Sequence, residues 1–108
     1  MSPVNDQKYE IGSRAECEKL VRDWGFSYVF TWTDGSNAYY PPHSHAGLTT
    51  HLIRRGTMTI TYPEDNAKTG EVKKETYGPG SRIDVPAGKL HEDKPSLRFQ
   101  NEKINATQ

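Results

Sequence analysis

Between residues 34 and 91 the chain meets a turn signal every several residues. These are Asp34-Gly35-Ser36-Asn37, Pro41-Pro42, Gly56, the 63–70 stretch, Gly78-Pro79-Gly80 and Pro86-Ala87-Gly88. Glycine reaches backbone conformations closed to other residues, and proline fixes φ and donates no hydrogen bond, so each interruption ends whatever element precedes it. The segments left between them are too short and too aperiodic for an amphipathic helix. Strands are therefore expected at 38–40, 48–54, 58–62, 71–77 and 82–85, with 63–70 as a loop. Many short strands with Gly/Pro punctuation predict an all-β sandwich or barrel.

The first third reads differently. Residues 1–12 are polar and aperiodic, an arm that is ordered only where it docks. Ser13 and Glu16 have capping-box spacing, Cys17, Leu20, Val21 and Trp24 form one stripe, and Gly25 suits a left-handed cap, so 14–24 is a short amphipathic helix. The period then changes to two. Phe26, Tyr28, Phe30 and Trp32 alternate with smaller residues and form an aromatic face that requires burial. At the other end, 93–108 is mostly polar and offers at most one short strand, at 97–99.

A chain of 108 residues is one domain, and 32% hydrophobic residues with a mean hydropathy of −0.90 allow only a small core. Fourteen basic residues cancel fourteen acidic ones, so the field that draws proteins to phosphate backbones is missing and nucleic acid is not an expected partner. No apolar run suits a signal peptide or membrane span, which predicts a cytoplasmic protein with no membrane partner. Cys17, the one cysteine, has no internal partner and falls on the helix's apolar stripe as a core residue.

The four histidines carry the chemistry. His43 and His45 are two apart, so on an extended chain both imidazoles project from one face. His51 lies in the next strand in phase with Thr49, and His91 follows the 86–88 turn. Neutral imidazole ligates Zn, Fe, Ni and Cu, and a fold that brings His91 to the first pair gives three nitrogens with open positions.

The stretch 37–91 resembles the cupin family, whose motifs run G-x5-H-x-H-x3/4-E-x6-G and G-x5-P-x-G-x2-H-x3-N. Gly80, Pro86, Gly88 and His91 occupy the first four fixed positions of the second motif, and Gly56 closes the first. The resemblance implies a cupin-like antiparallel jelly-roll barrel over residues 13–92, with one short leading helix. It also implies one divalent metal ion (Fe, Mn, Ni or Zn) on His43, His45 and His91.

Three positions depart from the pattern: Asn37 replaces the first glycine, Pro95 the final asparagine, and Thr49 the glutamate. The last removes a ligand and its charge, leaving a three-histidine site similar to those of cupins that split small thiols or diketones with iron and dioxygen. With Thr49 lining the site, the fourth position is expected to be neutral, and His51 becomes a substitute ligand or proton-transfer group. Asp84 and Glu92 are candidates to orient His91, and Arg55 shares the parity of His51. The 17 residues after His91 are few for two further strands, so the barrel is expected to be incomplete there, its gap filled by the N-terminal segment or by a partner subunit unless this C-terminus departs from the typical family member, with a homodimer the expected state. The expected function is a metal-dependent enzyme of dioxygenase, isomerase or lyase type acting on a small organic molecule. The alternative is a non-catalytic cupin that binds a small ligand or a metal.

Overall fold

The structure is a computed structural model that describes residues 8–35, 38–70, 73–95 and 101–108. Helix α1 spans Arg14–Asp23 and begins as its sequence requires. The Ser13 side chain accepts from the Glu16 amide while Glu16 reaches back to the Ser13 amide, a reciprocal cap that satisfies two otherwise unpaired amides. Among the described residues eight strands follow: β1 (Tyr28–Asp34), β2 (Tyr40–His43), β3 (Thr49–Arg55), β4 (Met58–Thr61), β5 (Glu75–Tyr77), β6 (Arg82–Val85), β7 (His91–Pro95) and β8 (Asn101–Thr107). They form two four-stranded sheets, ordered β1-β8-β3-β6 and β2-β7-β4-β5, with every pair antiparallel. The jelly roll expected from the sequence is present as a two-sheet sandwich, not a closed barrel.

Strand parity divides the apolar residues into two clusters. Leu52, Ile104 and Ala106 lie on the outer face of the first sheet, where Cys17 and Val21 of α1 cover them together with Phe26. The opposite parity points between the sheets, where Ile53, Met58, Ile60, Ile83 and Val85 form the second cluster. The interior does not stay apolar. Toward its other end it buries Asp34, His51, His91, Asp93 and Lys103, a concentration of polar groups that folding alone does not favour.

Three expectations are corrected. The 63–70 stretch contains a second helix, α2 (Pro63–Thr69), with proline in its first turn, Glu64 and Asp65 at its positive end, and left-handed Gly70 after its last residue. It has no buried residue, so no apolar stripe advertised it. The C-terminal region is not a tail. β7 runs to Pro95, and β8 lies between β1 and β3 in the middle of its sheet. Its inward positions are Asn101, Lys103 and Asn105, so the period-two signal was written in polar residues. The third concerns the aromatic row: Phe26 is buried, but Tyr28 and Trp32 remain largely exposed. Asn37, the start of the expected 71–77 strand and the possible strand at 97–99 lie outside the described residues.

The arm residues nearest the helix dock on the sheet edge. Lys8 bridges to Ser81, the Tyr9 amide donates to the Gly80 carbonyl at 2.8 Å, and the Tyr9 ring packs on Trp24. Gly80 adopts φ +88°, and a Cβ there would sit 2.7 Å from the Tyr9 carbonyl oxygen, so glycine permits this approach.

Candidate metal centre and pocket

β2 and β7 place His43 and His91 directly opposite each other, with ring centroids 4.2 Å apart. His45 follows two residues after His43 on the same side, 5.1 Å from the His43 ring and 5.5 Å from the His91 ring. The turn before His91 secures this approach: Gly88, at φ +75°, donates its amide hydrogen to the His45 carbonyl at 2.8 Å. One ligand atom from each of His43, His45 and His91 lies within 4.8 Å of the others. Tetrahedral zinc with bonds of about 2.1 Å holds its donors roughly 3.4 Å apart, a spacing reached by turning the solvent-facing rings of His43 and His45 toward the buried His91.

Each proton assignment follows from a neighbour. His91 Nδ1 is 2.8 Å from Asp93 Oδ1, and His43 Nδ1 is 2.7 Å from the Pro41 carbonyl. Carboxylate and carbonyl oxygens only accept, so both rings carry hydrogen on Nδ1 and keep the Nε2 lone pair for an ion. His91 Nε2 is buried and has no hydrogen-bond partner. An orphaned acceptor in a dry interior is costly, and a cation is what this atom fits. Burial lowers the His45 pKa, and the neighbouring imidazoles of His43 and His91 lower it further, which favours the neutral, ligating form.

Asp93 is the site residue that sequence reasoning missed. It lies two residues after His91 on the same strand face, a signal that was present but was assigned to the supposed tail. Its Oδ2 is also 4.0 Å from His43 Nε2. Burial alone would raise the Asp93 pKa, but the hydrogen bond from His91 and the electrostatics of its neighbours, the Lys103 ammonium among them, outweigh it and hold it below the usual carboxylate value. Asp93 thus brings a negative charge beside the site from another strand, behind His91 rather than at the position of Thr49.

Opposite the three histidines, the first sheet supplies the remainder. His51 Nδ1 is 2.7 Å from Asn105 Oδ1, which places the hydrogen on Nδ1 and leaves Nε2 buried, basic and unpartnered. Burial, reinforced by the Lys103 charge, lowers the His51 pKa to about 4. His51 is not one of the three converging histidines but lines the same pocket. This pocket, of about 230 Å³, is bounded by Phe30, Trp32, Tyr40, His43, His45, His51, Asp93, Lys103 and Asn105. Thr49 is buried with its hydroxyl unpartnered and is not among these lining residues.

The other candidates have different roles. Asp84 accepts hydrogen bonds from Thr50 and Arg82, and Glu92 accepts from Tyr39; neither touches His91, whose orienting carboxylate is Asp93. Arg55 is exposed at the end of β3. A larger hollow of about 450 Å³ lies beside α2, but it holds no histidine, and its Asp65 and Asn66 are engaged by Lys89 and the Lys73 backbone. Among the described residues no helix is long and apolar enough to cross a membrane.

No family model matches the chain, and no curated protein does. Solved structures do match. A cupin superfamily protein from Desulfitobacterium hafniense is 19% identical with a TM-score of 0.58, over 73% of this chain and 63% of that one. A polyketide cyclase from Streptomyces resistomycificus is 21% identical with a TM-score of 0.60, over 73% of this chain and 52% of the cyclase. A DMSP lyase from Ruegeria pomeroyi is 19% identical with a TM-score of 0.56, over 74% of this chain and 37% of the lyase. In each case the match covers less than two thirds of the other protein. The chain has the cupin fold.

Proposed function

We propose that this protein is a metal-dependent cupin enzyme acting on a small organic molecule, with one divalent ion on His43, His45 and His91. The observation that carries this reading is the buried, unpartnered Nε2 of His91, aligned with two further imidazoles at the edge of a pocket. When bound, such an ion supplies Lewis-acid or redox chemistry at its open positions. The chain's own residues do the rest. Asp93 fixes the tautomer of His91, the Pro41 carbonyl fixes that of His43, and Phe30 and Trp32 form an aromatic wall on one side of the pocket. His51 Nε2 is held neutral within the pocket and can accept a proton from a bound substrate. That combination suits isomerase or lyase chemistry, in which a proton is moved, as well as oxygenase chemistry. The named activities of the polyketide cyclase and the DMSP lyase are compatible with a small-molecule substrate.

The test is metal analysis of untagged protein combined with turnover of candidate substrates. About one equivalent of ion is expected, lost in His91→Ala because two imidazoles hold a divalent cation far more weakly than three. In His51→Gln the metal should remain while turnover falls about 100-fold or more, the usual contribution of a positioned base. A metal-free wild type contradicts the reading, and unchanged turnover in His51→Gln removes the base from it.

A further inference from the structure

The pocket contains a buried cation that metal binding does not use. Lys103 points inward from β8, only 4% exposed, and lines the pocket with His43, His45 and His51. Its ammonium has three hydrogens to donate, yet among the described residues one oxygen is in reach, Asp34 Oδ1 at a long 3.4 Å. Its other neighbours are the Met58 sulfur at 3.6 Å and the Tyr40 ring at 5.1 Å. Asp34 is shared, since Tyr40 donates to the same oxygen at 2.6 Å and Trp32 donates in turn to the Tyr40 hydroxyl. A chain of hydrogen bonds therefore fixes Trp32, Tyr40 and Asp34 around a lysine with unused donors.

The charges of the site point in the same direction. With a divalent ion on three neutral imidazoles, the lining and its immediate support carry Lys103 and the ion against Asp34 and Asp93. One positive charge is left in excess, and a monoanion would neutralise it. The walls beside Lys103 are the rings of Phe30 and Trp32, set edge to face at 86°, and the volume lies below the roughly 300 Å³ at which drug-sized sites begin. We infer that the ligand is a small monoanion with a flat apolar body, its anionic oxygen on Lys103 Nζ and its body against Phe30 and Trp32. This deepens the enzyme reading above by naming the substrate class, and Lys103 is the residue that selects it.

The probes are benzoate, benzyl alcohol and acetate, which separate charge with body, body alone and charge alone. Each is titrated by calorimetry into protein loaded with one equivalent of zinc. Benzoate is expected to bind at least about ten-fold more tightly than either of the others. In Lys103→Met that preference should disappear while zinc stoichiometry is retained; in Lys103→Arg it should persist. Because Lys103→Met leaves Asp34 buried without its counter-charge, the paired variant Lys103→Met/Asp34→Asn repeats the test without an orphaned carboxylate. Equal binding of benzoate and benzyl alcohol by the wild type overturns the inference. So does a benzoate preference that survives both lysine-lacking variants, which would assign the anion to the ion alone. Failure of the metal reading is separately visible in the zinc stoichiometry: without zinc the lining and its support carry one excess negative charge and the benzoate preference should vanish in the wild type as well, whereas bound zinc with no benzoate preference overturns this inference alone.

Discussion

His51 and His91 solve the same problem in two ways: each gives its Nδ1 hydrogen to a fixed oxygen and leaves Nε2 bare in the interior. For His51 the consequence is measurable without a substrate. Its pKa is about 4 in the folded protein and about 6.5 when unfolded, so between those values the unfolded chain binds the extra proton. The stability associated with keeping this ring neutral is fully present above about pH 6.5 and is lost as the pH falls toward 4, by about 3 kcal/mol in total. Urea unfolding in the presence of a chelator should show this decline in the wild type and a shallower one in His51→Gln. Equal slopes would mean that the ring titrates normally. At this scale the sequence was informative about ligands and poor about their support. H-x-H, the 86–88 turn and His91 mark the three donors, whereas Asp93 and Lys103 were read as tail residues because nothing local distinguishes a buried charge from a solvated one.

At the scale of elements, the turn glycines have unequal roles that a pair of substitutions can separate. Gly56 joins β3 to β4 at φ +74°, and a Cβ there would overlap Asn101 Oδ1, which accepts from the Thr57 amide at 3.0 Å. Gly70 has nearly the same φ, +76°, with nothing within 4 Å of the added atom. Gly70→Ala should therefore cost only the backbone term, about 1 kcal/mol, while Gly56→Ala adds the displaced Asn101 contact and should cost about 2–3 kcal/mol. Chemical denaturation checks both, and equal costs would show that Asn101 moves aside freely. The same contact shows why β8 was hard to foresee. Asn101 and Lys103 occupy inward positions that a period-two reading expects to be apolar, and α2 likewise has caps but no stripe. α1, β3, β4 and β6 were legible because turn chemistry and a reciprocal cap are local signals, whereas β2 lies at Tyr40–His43, running through the Pro41-Pro42 pair expected to end the 38–40 strand.

On the scale of the whole molecule, β8 fills the place expected to stand empty after His91, but an open edge remains elsewhere. β1 ends its sheet, and Tyr28 and Trp32 on it are exposed at 64% and 45%, so a dimer is still the expected state. Light scattering should then give about 24 kDa rather than the 12.2 kDa of one chain, and a monomer at high concentration would contradict this. The cupin architecture itself was legible from the spacing of glycines, proline and histidines, because those positions set the turns that bring β2 to β7. Anomalous diffraction from crystals equilibrated with zinc shows whether this convergence makes a metal centre through Nε2 atoms. One strong peak per chain is expected, about 2.1 Å from Nε2 of His43, His45 and His91. No peak there, or a peak on the Nδ1 atoms that Pro41 and Asp93 occupy, would contradict it.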